Sequence, residues 1–436
     1  MKTINIGLIG FGNIGTGVVN ALNANSATMA SRIGSQIKLA RIADVDTQRK
    51  RDCDYDPAIL GNDANALIDD PSISIIIELV GGLEPARTFV EKALRAGKHV
   101  VSANKAMLAT FGADLWKLAA EKNVALLFEA SVGGGIPIIR ALQLGLSANN
   151  IRRVYGILNG TCNYILTNMA EQKKSFEAVL AEAQAHGYAE PDPTYDIEGY
   201  DTAHKTAVLA SLAFQQDIRF TDVYVEGISR LRQVDIEYAR DLGYTIKLLG
   251  IAKADDTAGS GRVEVRVHPT LLPRESLLGN VNGVFNGIMV EGDLVGKSMF
   301  YGRGAGQLPT ASAILSDVMS IAESISRGTP PAEHRLVVPP GKKSLKPIAE
   351  LETSYYLRIP VADRPGVMAR LSNALGERNV SINSMIQRGD HPTGRAEVII
   401  VTHKTSEKDI QAALAEIGAM DVTQEKPFVL RVESEL

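Results

Sequence analysis

Cysteine is almost missing from this chain. Cys53 and Cys162 are the only two in 436 residues, and their spacing fits neither a zinc ligand set nor a disulfide framework. The fold therefore has to be held by its core, as in proteins of a reducing compartment. Long apolar runs are missing as well: nowhere do about 18 apolar residues follow one another, the length a bilayer-spanning helix needs. After Met1-Lys2-Thr3 the sequence turns at once to a strand pattern. No signal peptide is legible, and a cytoplasmic location is expected. Neither sign of charge dominates, with 46 basic residues against 50 acidic and no long block of either. That balance argues against nucleic acid and membrane surfaces as partners and leaves a small molecule. The length is enough for two or three domains with ample cores.

What is present begins with INIGLIGFGNIGTGVVNAL, an apolar strand from Ile4 to Ile9 followed by Gly10, Phe11, Gly12, Asn13, Ile14, Gly15 and a helical pattern. Glycines between strand and helix let the turn close and the backbone approach a pyrophosphate, while the helix N-terminus favours the anion. A dinucleotide site is expected here. A second strand, Ile37 to Ala43, ends at Asp44, where an acid commonly takes the ribose 2′-hydroxyl of NAD. Asp44 stands further from the glycines than the usual spacing of roughly 20 residues, and the polar stretch from Asn23 to Ser35 reads as the insertion responsible. Arg49, Lys50 and Arg51 follow closely and offer the alternative, a 2′-phosphate contact. The choice between NAD and NADP stays open, with a lean to NAD.

Strand and helix patterns then alternate: Ser74 to Val80 ending in Gly81-Gly82, a helix from Glu84 to Ala96, His99 to Ser102 ending in Ala103-Asn104-Lys105, a helix near Ala113 to Lys122, and Val124 to Phe128. Such alternation predicts a Rossmann-type, doubly wound parallel sheet with ligands beyond the carboxyl ends of its strands. Glu129 and the run Gly133 to Gly135 follow the last of these strands. A glycine run is most simply a hinge, here leading into a second domain, although free carbonyls beside a carboxylate also suit a hard cation.

The second part centres on EPDPTYDIEGYDTAHK, Glu190 to Lys205. From Ile197 the apolar residues recur at helical spacing, placing Asp201 and Lys205 at i and i+4 on one face. Glu190, Asp192 and Asp196 come from the preceding loop and are placed to hold an amine or to set the pKa of Lys205. A solvated helix start with one ordinary ion pair is the plain alternative. Upstream, RRVYGILNGTCNYIL reads as a strand, a turn at Asn159-Gly160, and a helix that Thr161 caps.

Taken together, GFGNIG, SANKA (Ser102 to Ala106), EASVGGGIP (Glu129 to Pro137), NGTCNYI (Asn159 to Ile165), the Glu190 to Lys205 segment and GRGAGQLPTA (Gly302 to Ala311) closely resemble the homoserine dehydrogenase family, in the right order, over about residues 1 to 330. The resemblance implies that Lys205 is the catalytic acid/base, with Lys105 and Asp201 assisting, and that Glu190, Asp196, Gly160 and Thr161 meet the substrate. It adds Gly304 to the nicotinamide pocket and implies a sodium ion near Glu129 and the carbonyls of Val132, Gly134 and Ile136. The reaction would be the reversible NAD- or NADP-dependent interconversion of L-homoserine and L-aspartate 4-semialdehyde, feeding threonine, methionine and isoleucine synthesis.

A proline-rich stretch near Gly328 to Pro347 reads as an extended linker. Beyond it the order βαββαβ is that of a ferredoxin-like sandwich, and DRPGV at Asp363 to Val367 resembles the ACT domain. That resemblance implies inhibition by threonine, with Asp363, Arg364, Gly366, Val367, Asn379 and Asn383 in the pocket, and a homodimer or homotetramer. The expected organisation is a dinucleotide-binding domain over 1–135 with 305–330 packing back on it, an α+β substrate and dimerisation domain over 136–304, a linker over 331–350, and the ACT domain over 351–436. With no aspartate-kinase segment ahead of it, the chain is expected to be monofunctional. Two rival functions fit parts of the same pattern: a phosphorylating aldehyde dehydrogenase using Cys162, and a catalytically silent amino-acid sensor.

Overall fold

The structure is a computed structural model describing residues 2–255, 260–329, 338–390 and 394–436, with 388–390 described by their backbone alone. The first part of the chain runs β1 (Lys2–Ile9), α1 (Asn13–Ile33), β2 (Ser35–Ala43), β3 (Leu60–Gly61), α2 (Ala64–Asp69), β4 (Ile75–Glu78), α3 (Ala86–Arg95), β5 (His99–Ser102), α4 (Lys105–Glu121) and β6 (Leu126–Leu127). These strands form one parallel sheet in the order β3-β2-β1-β4-β5-β6. Ile75, Ile76 and Ile77 are all buried because helices cover both faces of the sheet. The order reverses between β1 and β4, and it is there that the loop after β1 opens, the place where such sheets bind ligands.

Two local expectations change. The polar stretch 23–35 is no separate insertion: α1 runs through it to Ile33 and stops at Gly34, whose φ of 70° ends the helix. The helix expected from Ala113 begins instead at Lys105, because the Asn104 side chain accepts a hydrogen bond from the Met107 amide and caps it.

The second part holds α5 (Ile138–Arg140), β7 (Ile151–Ile157), α6 (Gly160–Gln172), α7 (Phe176–Ala185), α8 (Thr194–Ile197), α9 (Tyr200–Phe214), β8 (Tyr224–Val225), α10 (Gln233–Asp241), β9 (Tyr244–Ala254), β10 (Val263–Pro273), β11 (Phe285–Gly292), β12 (Gly296–Arg303) and α11 (Gln307–Arg327). Every residue of α9 from Asp201 to Leu212 is buried, so this is a helix of the interior rather than an amphipathic surface helix. The solvated-helix alternative for Asp201 and Lys205 ends there. Helix α11 returns to the first sheet, where Ile314, Val318 and Ile321 pack with Ile6, Leu8, Val18 and Leu22. Each such side chain contributes roughly 1.5–3 kcal/mol of burial.

The last part is β13 (Glu352–Ala362), α12 (Val367–Gly376), β14 (Ile382–Asp390), β15 (Arg395–Thr402), β16 (Thr405–Ser406), α13 (Glu407–Gly418) and β17 (Phe428–Val432). It has no sheet of its own. One continuous sheet runs β12-β11-β7-β9-β10-β17-β13-β15-β14, with β17 pairing parallel to β10 on one side and antiparallel to β13 on the other. Of the expected linker, 331–337 lie outside the described residues. The described remainder is tied down: the Val263 amide donates to Ser344, the Lys346 amide donates back to Val263, and the Gly341 amide donates to the Asp217 carboxylate. No helix among the described residues is long and apolar enough to cross a membrane.

Candidate active site

The dinucleotide loop follows from steric necessity. Gly10 sits at φ 92°, and a Cβ there would lie 2.8 Å from the Leu79 carbonyl group; one at Gly15 would lie 2.5 Å from the Gly10 oxygen. Gly12 has nothing within 4 Å of its missing Cβ, so the first turn of α1 stays open for a phosphate. The Phe11 ring is fully buried, edge-on to Tyr55 at 5.1 Å. Its amide donates to Asp44 Oδ2 at 2.5 Å. Asn13 accepts twice from the Gln307 amide, at 3.0 Å to both its backbone and side-chain oxygens. Ile14 packs against the core of this sheet.

Asp44 lies at the end of β2 beside this loop, also accepting from the Asp46 amide at 2.8 Å. Arg51 turns inward: it donates to the carbonyls of Phe11 and Asp46, stacks its guanidinium 4.6 Å from the Phe11 ring and reaches Asp44 at 3.3 Å. It is a brace of the loop, and of the three basic residues only the exposed Arg49 and Lys50 remain for a 2′-phosphate.

At the carboxyl ends of β4 and β5 the sequence conceals a buried acid. Glu78 is fully buried, accepting from the Val80 amide at 2.6 Å and the Ser102 hydroxyl at 2.5 Å. Burial pushes its carboxyl up to about 7, against those two hydrogen bonds. Ser102 Oγ in turn accepts from the Asn104 amide, and Asn104 donates to the Val80 and Gly82 carbonyls at 3.0 and 2.7 Å. Gly81 and Gly82 are thus clamped to the turn that presents Lys105.

Lys105, Asp201 and Lys205 meet across the two parts of the chain. Asp201, 4 % exposed at its side chain, takes the Lys105 ammonium on Oδ1 and Lys205 Nζ on Oδ2, the latter at 2.7 Å. Lys205 Nζ also donates to the Leu158 carbonyl at 2.7 Å. Burial lowers the Lys205 amine below its ordinary value; attraction to Asp201 opposes this and the Lys105 charge adds to it. Burial opposes the charge on Asp201 too, but the two ammonium groups hold its carboxyl well below the usual range.

Asn159 joins this group, and sequence reasoning missed it. Its amide donates to Asp196 at 2.7 Å and Asp201 at 2.9 Å, while its oxygen accepts from the Cys162 amide. Asn159, not Thr161, is the cap of α6; Thr161 sits one residue inside the helix and donates to the Tyr188 carbonyl at 2.6 Å. Gly160 is closed against the residue ahead of β11, a Cβ there meeting the Val284 oxygen at 3.0 Å. Asp196, half-buried, has its carboxyl pushed up mainly by burial. Glu190 is exposed, its backbone accepting from Gln184, and no hydrogen bond among the described residues brings its carboxylate to Asp196 or Asp201. Also unforeseen is His204, stacked on Phe220 at 4.1 Å with Nδ1 2.6 Å from the Tyr195 hydroxyl.

The Cys162 rival fails here. Its thiol is wholly buried, donates to the Asp196 carbonyl, and is pushed well above its ordinary pKa by burial and then by Asp196 and Asp201. A helix start does not help a thiol surrounded by carboxylates.

At the glycine run, Gly134 has φ 53° and a Cβ would lie 2.5 Å from the Gly304 oxygen. Gly304 itself is pressed against Asn286. Glu129 accepts from the Ile139 and Arg140 amides at 2.8 Å each, and the Ile136 carbonyl accepts from Ile138. Val132 is fully buried beside them.

In the last part, Asp363 accepts from the Gln387 side chain at 3.2 Å, Arg364 pairs with Asp421, Gly366 at φ 86° starts α12, and Val367 is buried below it. Asn379, at φ 57°, and the exposed Asn383 lie past the far end of this ten-residue helix, about 15 Å away at 1.5 Å per residue. The two groups therefore do not share one pocket within a single chain.

Comparison with known proteins follows the same division. The "Homoserine dehydrogenase, NAD binding domain" family matches residues 10–129, the "Homoserine dehydrogenase" family residues 137–319, and the "ACT domain" family residues 355–421. The homoserine dehydrogenase of Neisseria gonorrhoeae is 42 % identical over 437 residues, covering 100 % of this chain and 99 % of that protein. That of Pseudomonas aeruginosa is 42 % identical with 99 % of each chain covered. Among solved structures, a homoserine dehydrogenase from Thiobacillus denitrificans superposes with a TM-score of 0.90 at 41 % identity, covering 100 % of this chain and 99 % of that one.

Proposed function

In a chain that belongs to the homoserine dehydrogenase family, and is thus an NAD(P)-dependent oxidoreductase, we propose that Lys205 is the acid/base for the interconversion of L-homoserine and L-aspartate 4-semialdehyde. The observation that carries this is the bridge from the partly exposed Lys105 through the buried Asp201 to the buried Lys205, at the junction of dinucleotide and substrate parts. As a neutral amine, Lys205 donates its two N–H bonds to Leu158 and Asp201. Its lone pair then points away from both, free to take the proton of the substrate hydroxyl. A bound nicotinamide dinucleotide supplies the hydride acceptor. In the reverse direction the ammonium form of Lys205 donates to the aldehyde oxygen, and Asp201 keeps both lysines oriented throughout. Asp196, destabilised by burial, gains by accepting the substrate ammonium, and the exposed Glu190 closes on it from the loop.

The regions divide accordingly: 1–135 with 305–330 for the dinucleotide, 136–304 for the substrate, and 351–436 for an effector. Asp44 beside the glycine loop favours NAD over NADP. The oxygen-only donor set of Glu129 and the Val132, Gly134 and Ile136 carbonyls suits a sodium ion, which would fix the glycine run. Threonine, a product of the pathway such an enzyme would feed in the cytoplasm, is the effector. A pocket using both Asp363 to Val367 and Asn379 to Asn383 needs a second copy of the chain, in keeping with a dimer or tetramer. The test is the initial rate of nicotinamide reduction with L-homoserine, with NAD and NADP compared. Turnover preferring NAD supports the assignment of Asp44, and preference for NADP moves that role to Arg49 and Lys50. A folded protein that binds dinucleotide without turnover returns the sensor alternative.

A further inference from the structure

The catalytic pair and the chain's last strand are joined by a short sequence of contacts that starts in the interior and passes through the partly buried Glu226. Arg431, on β17, is fully buried. Its guanidinium reaches in two directions: to Glu407 of α13 at 2.6 and 2.8 Å, and to Glu226, just past β8, at 2.9 and 3.2 Å. Tyr224 lies between them, its hydroxyl accepting from Arg431 at 3.1 Å and donating to Glu226. Arg431 is thus a planar fork shared between the regulatory part and a strand of the substrate part.

From Glu226 the contact continues into the site. The Glu226 amide donates to Val267 of β10 at 2.8 Å, and the Ile228 amide donates to the Ile197 carbonyl at 2.7 Å. Between them Gly227 lies so close to the loop that a Cβ would meet the Ile197 oxygen at 2.4 Å and the Glu198 Cα at 2.5 Å. Gly199, at φ 83° the first turn-setting residue of α9, faces Val225, Val267 and the Glu226 oxygen at 3.2, 3.2 and 3.4 Å from its missing Cβ. The segment Ile197 to Gly199 is the turn between Asp196 and Asp201, so its position sets both.

We propose that Arg431 is a positioning residue for the reaction: through Glu226 it fixes Gly227 and Ile228, and with them the turn that aims Asp196 at the substrate and seats Asp201 between the two lysines. The last strand is then part of the catalytic unit. An effector that shifts β17 or α13 has a direct mechanical route to the substrate acids. This rests on the assignment of Asp196, Asp201 and Lys205 above.

The experiment measures L-homoserine and dinucleotide KM, kcat and Tm for the full-length parent and for Glu226→Ala, Glu226→Gln and Arg431→Lys. Glu226→Ala is expected to raise the homoserine KM about tenfold while leaving the dinucleotide KM within about twofold. Glu226→Gln, which keeps the shape and one acceptor, recovers most of the loss. Arg431→Lys, which keeps the charge but not the fork, behaves like Glu226→Ala. A purely structural role lowers Tm and the active fraction, hence kcat, with an unchanged homoserine KM; that result overturns the proposal, as does Glu226→Ala with parent KM values at parent Tm. Lys205→Ala is run alongside. If it retains parent turnover, the site assignment itself has failed; if it is inactive while Glu226→Ala is unaffected, only the positioning role has.

Discussion

Replacing Asp201 by asparagine tests the bridge most directly, because it removes one charge and almost no volume. Asp201 Oδ2 stands 2.7 Å from Lys205 Nζ, with both side chains nearly excluded from solvent. With the charge centres about 3.5 Å apart and an effective dielectric of about 20, the attraction is worth about 5 kcal/mol before relaxation. Allowing roughly half of that to be recovered by reorganisation, the Lys205 pKa should fall by about 2 units, at 1.36 kcal/mol per unit. The sign is unambiguous. A carboxylate favours the ammonium form, so losing it lowers an amine already lowered by burial. Oxidation of homoserine needs the neutral amine, so the acid limb of its kcat/KM profile should move down by about two pH units. Reduction of the semialdehyde needs the ammonium, so its alkaline limb should move down equally, and the variant should be most impaired in reduction near neutral pH. Stopped initial-rate profiles in both directions, for parent and Asp201→Asn, decide it. A limb that stays in place, or moves up, refutes the assignment of that limb to Lys205.

Lys205→Ala should lower kcat about 10²- to 10⁴-fold, the range for a lost acid/base, with little change in homoserine KM; equal loss in both under initial-rate conditions would remove Lys205 from the proton transfer. Glu78→Gln should flatten the pH dependence of stability. With its carboxyl raised from the ordinary 4.5 to about 7, Glu78 contributes stability that is full below the unfolded value and lost as pH rises through about 7. That interval is about 3 kcal/mol in full, and urea melts should show the parent losing about 2.5 kcal/mol of it between pH 5 and pH 8 and the variant none. Asp44→Ser should raise the KM for NAD about tenfold and lower that for NADP, since a ribose acceptor and a repelling charge go together. Unchanged selectivity in a paired assay would leave Asp44 only its structural contacts with the Phe11 and Asp46 amides and Arg51.

Local punctuation explains what the sequence disclosed. The glycines of the first loop and the alternation of apolar strand with helix are decided within about 30 residues of chain, and the parallel sheet formed as read. Asp201 and Lys205 were legible because i,i+4 spacing is itself a local geometry. Asn159 was not. NGT offers two residues able to cap, and only the position of Asp196 and Asp201, some 40 residues on, makes the asparagine the better one, since its amide has two carboxylates to serve. Arg51 looked like a phosphate ligand because basic residues in a loop usually face solvent; Phe11, 40 residues earlier, gives it a ring and a carbonyl to turn toward. β9 went unread for the same reason. Its Lys247 and Lys253 break the apolar pattern, yet Lys253 is neutralised by Glu433, which arrives from the far end of the chain.

Glu78 and Asp201 show why the site's charges sit where they do. Both carboxyls are buried, at 0 % and 3 % exposure, and burial alone would leave both protonated near neutrality. Glu78 meets only a hydroxyl and an amide, and its carboxyl rises to about 7. Asp201 meets two ammonium groups and stays charged. The difference is the pair of lysines, Lys205 first and Lys105 beside it. With Lys105 absent, Asp201 would face one lowered amine, and a neutral pair with the proton moved from Lys205 to Asp201 would compete with the ion pair. Lys105 opposes that transfer by holding Asp201 charged, so under the proposed role of Lys205 a proton taken from the substrate hydroxyl would stay on Lys205 rather than pass on to Asp201. The Glu78, Ser102 and Asn104 hydrogen bonds present Lys105 at the first turn of α4, and so reach the chemistry without touching it.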